Sequence, residues 1–199
     1  MLEATDAGSR LPSQEAAVRY VIDAKLSIFM VHAFSSGILG AFGHDLTIEI
    51  TDFKGEVQFA PDAFDQAYLR LAIASSSLRV TNDISDADRQ EIQRRMQNDV
   101  LEVDRYPEIV YECSRVSING GGSGRYWVAL NGELSLHGVS RNHLVTARLA
   151  TNGESLRASG EFTLQQRDYG IRPPSIAGGA VTIKDQLKLS FDVVAHKTE

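Results

Sequence analysis

The stretch Leu26–Phe59, LSIFMVHAFSSGILGAFGHDLTIEITDFKGEVQF, sets the fold class. Read as a strand, Leu26 to Phe34 is apolar on both faces: Phe29, Val31 and Ala33 on one, Leu26, Ile28 and Met30 on the other. Such a strand must be covered on both sides. If one face looks into a barrel, the other lies under a helix, an N-terminal arm or a second subunit. Gly37, Gly40 and Gly43 then punctuate a loop whose backbone can turn tightly. His44 and Asp45 lead into Leu46, Ile48 and Ile50, which alternate with Thr47, Glu49 and Thr51. A period of two sends the apolar set to one face of a sheet and the polar set to the other.

The same alternation recurs along the chain. Leu69, Leu71 and Ile73 alternate with Tyr68, Arg70 and Ala72, and Ile109 and Tyr111 fall in phase with Cys113. Val128, Leu130, Leu134 and Leu136 share one face, as do Val145, Ala147 and Leu149. Leu156, Ala158, Phe162 and Leu164 oppose Arg157, Ser159, Glu161 and Thr163; Leu187, Leu189, Phe191 and Val193 oppose Lys188, Ser190 and Asp192. Asn119–Gly124 reads as a hairpin tip and Asn152-Gly153 as a two-residue hairpin turn. The period changes only over Asp83–Val100. There Ile92, Met96 and Val100 stand four apart on one helical stripe, and Ser85 with Asp88 resembles a capping pair. So narrow a stripe suits a lid on a sheet or a barrel end.

Eight or more antiparallel strands with short links close into a sandwich or an up-and-down barrel, and closure removes exposed edges. A barrel of about eight strands is just wide enough to hold one small ligand. The expected architecture is therefore mainly β: an antiparallel, lipocalin-like barrel of eight or more strands, with one helix packed near a barrel end. Residues 1–16 read as a flexible arm and 17–199 as a single barrel domain.

Composition narrows the function. A net charge of −6 argues against nucleic acid or an anionic membrane surface as partner, since both select basic patches. The lone Cys113 excludes an internal disulfide and a cysteine-rich zinc site. No run of about 20 apolar residues could span a bilayer as a helix. The N-terminal segment lacks a basic-then-apolar leader, which gives the expectation of a cytoplasmic protein, or a periplasmic one if a leader was removed.

Several short pieces, in order, resemble the YceI-like family. They are Tyr20-Val-Ile-Asp23 with Ser27, Phe53-x-Gly55, Asp104-x-Tyr106-Pro107, Gly132-x-Leu134-x-Leu136-x-Gly138-Val139-Ser140, and Arg167-Asp168-Tyr169-Gly170-Ile171. The resemblance implies a lipocalin-like barrel that binds a polyisoprenoid or similar long-chain lipid in a tunnel, often as a homodimer, with many members periplasmic. Two features depart from the family pattern. Gly37–Asp45 carries a Gly-His pair, and Gln166 stands where the family's late arginine falls, with Arg167 one place on.

The candidate ligand wall is Phe29, Val31, Phe42, Leu71, Ile73, Ile109, Tyr111, Leu134, Leu136, Phe162 and Tyr169. Each buried methylene of a guest is worth about 0.8 kcal/mol, so a long tail needs no specific polar contact. Ala33, Ala72, Ala147, Ala158 and Gly160 would leave room inside. Arg167 and Tyr169 are candidates to anchor a polar head at the tunnel mouth. The alternatives are a metal-dependent enzyme using His32, His44 and Asp45, or a ligand-free interaction module resting on the Leu26, Ile28 and Met30 face. No cofactor is expected. Cys113 reads as an inert interior thiol, Asp23 as a turn former, and His143 and His196 as exposed strand positions.

Overall fold

A computed structural model of the protein describes residues 17–36, 45–60, 63–176 and 181–198. Its strands are β1 (Val18–Ile22), β2 (Ile28–Ser36), β3 (Leu46–Ile50), β4 (Phe53–Ala60), β5 (Ala63–Ala74), β6 (Leu78–Val80), β7 (Glu108–Gly122), β8 (Arg125–Leu136), β9 (Val139–Thr151), β10 (Ser155–Gln165), β11 (Ser175–Ile176) and β12 (Val181–Lys197). The helix α1 is Asp86–Arg95.

The pairing reduces these to a simple ring. β12 is long enough to pair with β1 near its C-terminal end (Ile22↔Ala195) and with β2 further back (Phe29↔Phe191, Ala33↔Leu187). β1 and β2 thus act as two halves of one strand, broken at the Asp23–Ser27 turn, where Asp23 Oδ1 accepts the Lys25 N–H at 2.9 Å. β4 pairs β1 and β3 pairs β2, and β5 and β6 follow in the same way. Every link is antiparallel and sequential, and the last strand closes on the first. Among the described residues the result is a mainly β, closed antiparallel barrel of eight strands with one α-helix.

The expected alternation sets which side chains enter the ring. Tyr20 and Ile22, Val31 and Ala33, Ile48 and Ile50, Leu134 and Leu136, and Val145 and Ala147 are all buried. Their polar alternates face out and pair across strands: Arg19 with Glu56, Arg70 with Glu112 at 2.8 Å, Lys188 with Glu161 at 3.0 Å. The outer face of β2 behaves differently. Leu26, which sits in the turn before the strand, is 58% exposed, and Ile28 is 54% exposed. No described residue covers them.

α1 is shorter than the 83–100 window, because after Arg95 the chain widens into a π-helical turn over Met96–Val100. Its cap is the expected one, with Ser85 Oγ accepting the Asp88 N–H at 3.1 Å. The helix is fastened to β6 by Gln93, whose Oε1 accepts the Val80 N–H at 3.0 Å while its Nε2 donates to the Leu78 carbonyl at 2.6 Å. The side-chain amide thus takes the place of a neighbouring strand on an otherwise open edge. One hairpin is shifted by a residue. Asn152 bonds Ser155 across the turn, so Gly153 (φ +89°) and Glu154 form its centre instead of Asn152-Gly153.

Candidate functional site

The interior of the barrel is not filled by its own side chains. A cavity of about 820 Å³ runs along it. At one end it is bounded by Phe59, Val116, Val128, Leu149 and Leu156, and at the other by Leu78, Ile92, Met96, Leu101, Leu136 and Ile171. This explains an otherwise odd pattern. Phe29, Leu71, Ile109, Phe162, Leu189 and Phe191 point inward yet stay partly exposed, because they are exposed to the cavity. The volume lies in the range of pockets that hold drug-sized ligands, about 300–1,000 Å³. At about 30 Å³ per methylene-sized group, the share of one water in the liquid, the cavity has room for roughly 25 such groups.

Of the wall residues expected from sequence, Phe29, Val31, Leu71, Ile73, Ile109, Tyr111, Leu134, Leu136 and Phe162 line this cavity together. Phe42 lies outside the described residues, as does His44. Ala33, Ala147 and Ala158 also line it, whereas Ala72 does not, because it falls between the inward positions Leu71 and Ile73. Gly160 does not line it either: a Cβ there would meet the Phe191 ring at 2.8 Å and the Thr146 carbonyl, so the missing side chain admits close packing and leaves no free volume.

Polar groups in the wall are few and mostly satisfied. The Tyr111 hydroxyl donates toward the carbonyls of Leu130 (2.9 Å) and His143 (3.1 Å). Gly132 makes that possible, since a Cβ there would stand 2.8 Å from the Tyr111 hydroxyl. Burial pushes the phenol of Tyr111 well above its ordinary range and the Cys113 thiol up as well, so both stay protonated. Gln166 is buried and its Nε2 donates to the Lys184 carbonyl at 2.9 Å. At the helix end, Asp88, Glu91 and Arg95 border the cavity. Arg94 and Arg95 hold the Glu91 carboxyl at about 2, so this rim stays charged.

Three expectations meet corrections here. His143 is not an exposed strand position. It shares the parity of Val145 and Ala147, lines the cavity, and sits edge-on to the Phe162 ring at 5.1 Å. Burial lowers its pKa from the ordinary histidine value. Arg167 is exposed and lies outside the cavity lining; its backbone N–H donates to Asp185 Oδ1 at 2.9 Å. Tyr169 is 2% exposed and lines a separate side pocket. Both follow β10 on a short 3-10 turn, where strand alternation no longer dictates direction.

Of the residues of the enzymatic alternative, His44 lies outside the described residues, and only His32 and Asp45 can be placed. Asp45 Oδ1 accepts the Ser35 N–H at 2.8 Å. His32 is half-buried on the opposite face from Val31. His137 adopts a positive φ of 52° at a tight turn and contacts Glu102 at 2.9 Å. Among the described residues no three His, Cys, Asp or Glu side chains gather as a metal site.

An eight-stranded up-and-down barrel around a long apolar cavity defines a lipocalin-like class of barrel. Within it the particular family is shown by sequence: the YceI-like domain model matches residues 20–195, and the chain belongs to the YceI-like family. Nothing among curated proteins matches the chain. Among solved structures it is similar to BcnA of Burkholderia cenocepacia, at 17% identity and a TM-score of 0.67, covering 87% of this chain and 98% of that one. It is similar also to a polyisoprenoid-binding domain from Saccharophagus degradans implicated in plant cell wall breakdown, at 15% identity and a TM-score of 0.65, covering 91% and 99%. A YCEI protein of Campylobacter jejuni matches at 16% identity and a TM-score of 0.55, covering 76% and 85%.

Proposed function

We propose that the protein binds and carries, or sequesters, an isoprenoid or other long-chain lipid in the barrel cavity, without catalysis. The observation that carries this is the 820 Å³ apolar cavity itself, bordered by polar and charged groups chiefly at the helix end. Membership of the YceI-like family and the likeness to a polyisoprenoid-binding domain support the same reading. A branched, unsaturated chain suits a wall of Leu, Ile, Val and Phe. Binding there rests on burial, at about 0.8 kcal/mol per methylene, with little demand on geometry. α1 and the turn after it border this end of the cavity through Ile92 and Met96, and Gln93 fastens the helix to β6.

We also propose a homodimer across the outer face of β2, supported by the exposed, adjacent Leu26 and Ile28. The carrier function is tested by extracting the protein, purified from cells, into organic solvent and identifying the extract by mass spectrometry. A stoichiometric long-chain lipid is expected. Extracts that repeatedly match a barrel-free control would overturn the proposal.

A further inference from the structure

The barrel wall parts between two of its strands. β9 and β10 pair only from Leu156↔Thr151 to Ser159↔Arg148. Beyond that point β10 stays on β12 as far as Gln165↔Gln186, and β9 stays on β8 as far as Val139↔Leu136. The two strands therefore remain in the sheet but diverge from each other. At the far end of the gap Arg141 reaches across, its Nε donating to the Asp168 carbonyl at 2.5 Å. The ladder and this bridge frame a side pocket of about 460 Å³. Arg141, His143, Thr163, Gln165, Asp168 and Tyr169 line it, and His143 lines the main cavity too.

Three hydrogen-bond donors converge on this gap. Among the described residues no group bonds the Arg141 Nη atoms, either ring nitrogen of His143, or the Tyr169 hydroxyl. The Tyr169 phenol is held protonated, chiefly by burial and then by the nearby Asp168 charge. None of these three donors is bonded to an acceptor of the protein, although the Asp168 carboxylate lines the same pocket, and acceptor oxygens on a ligand would complete them. His143 and Leu164 line both this pocket and the main cavity, so a head in the gap would lie beside a tail in the barrel.

We propose that the β9–β10 gap is a head-group subsite, in which Arg141, His143 and Tyr169 bind the acceptor oxygens of an amphiphilic lipid, a carboxylate or a phosphate, whose tail occupies the barrel. This rests on the carrier reading above and narrows its ligand class. The Tyr169 head anchor expected from sequence is retained, with Arg141 as its cationic partner in place of Arg167.

The test uses the full chain and three probes of one chain length: stearic acid, octadecyl phosphate and octadecane. Affinities are read by displacement of a fluorescent fatty probe. Wild-type protein should bind the acid or the phosphate more tightly than the alkane, and the tighter of the two identifies the head. Arg141→Met should weaken that probe by about tenfold, the scale of a hydrogen bond to a charged group, and leave octadecane unchanged. Tyr169→Phe, which removes one oxygen, should do the same more mildly and serves if Arg141→Met fails to fold. Equal binding of alkane and both headed probes, or equal weakening of all three by the substitution, would overturn the subsite alone. Failure of the wild type to take up any of the three would overturn the carrier reading, and the subsite with it.

Discussion

Ala158→Phe separates a hollow barrel from a solid one. Ala158 faces inward between Leu156 and Gly160, yet its methyl group is partly exposed, and the space it is exposed to is the cavity. Phenylalanine adds six carbons there. They displace roughly four methylene-sized groups of guest, which at about 0.8 kcal/mol each comes to about 3 kcal/mol of lost binding. That is about two orders of magnitude in Kd. The free protein should keep its melting temperature, since the ring enters open space lined by Leu149, Phe162 and Val193. In a solid core the same change would overpack, costing about 1–3 kcal/mol of stability. Thermal melts of the ligand-free variant, together with displacement of a fluorescent long-chain probe, measure both quantities. A melt several degrees lower with unchanged probe affinity would refute the hollow interior.

Other residues give sharp expectations. Gly132→Ala places a Cβ 2.8 Å from the Tyr111 hydroxyl and against the Glu112 carbonyl, so it should cost about 1–3 kcal/mol, read as a lower denaturant midpoint. His143 has its folded-state pKa below its ordinary value near 6.5, so the unfolded chain binds the proton first. Its contribution is therefore complete above about pH 6.5 and is lost as pH falls below that. His143→Gln should flatten this acidic limb of the stability profile, and an unchanged limb would show that other groups set it. Leu26→Asp with Ile28→Asp should leave the fold by circular dichroism unchanged, because both side chains are exposed within one chain, and should bring the mass by light scattering to the 21.8 kDa monomer. A dimer that persists would place the interface elsewhere.

Much of this fold is written in the sequence. Period-two patterning in segments such as Leu46–Ile50 and Ser155–Leu164 fixes strand and face together, because only one register buries the apolar set. The four-residue stripe of Ile92, Met96 and Val100 picks out the helical segment for the same reason. Nine wall positions follow from parity alone. His143 was readable too: it is in phase with Val145 and Ala147, and the neighbouring Leu144 is 59% exposed. Judged by residue type, histidine goes outside and leucine inside; judged by phase, the order reverses, and phase prevails.

What alternation does not encode is which strands separate. The β9–β10 gap depends on where two correctly patterned strands diverge, and nothing in Asn142–Ala147 or Glu161–Gln165 marks it. Arg167 and Tyr169 sit on a single turn of 3-10 helix, where no period exists to assign direction. The exposed face of Leu26 and Ile28 was legible as apolar, but sequence leaves open what covers it.

The most direct measurement is native mass spectrometry of the protein after incubation with a long-chain polyisoprenoid and removal of excess lipid. A hollow, greasy barrel should retain one lipid per chain, and Ala158→Phe should release it. A wild-type spectrum showing only bare protein, under conditions where a known lipid carrier keeps its ligand, would contradict lipid binding in the barrel.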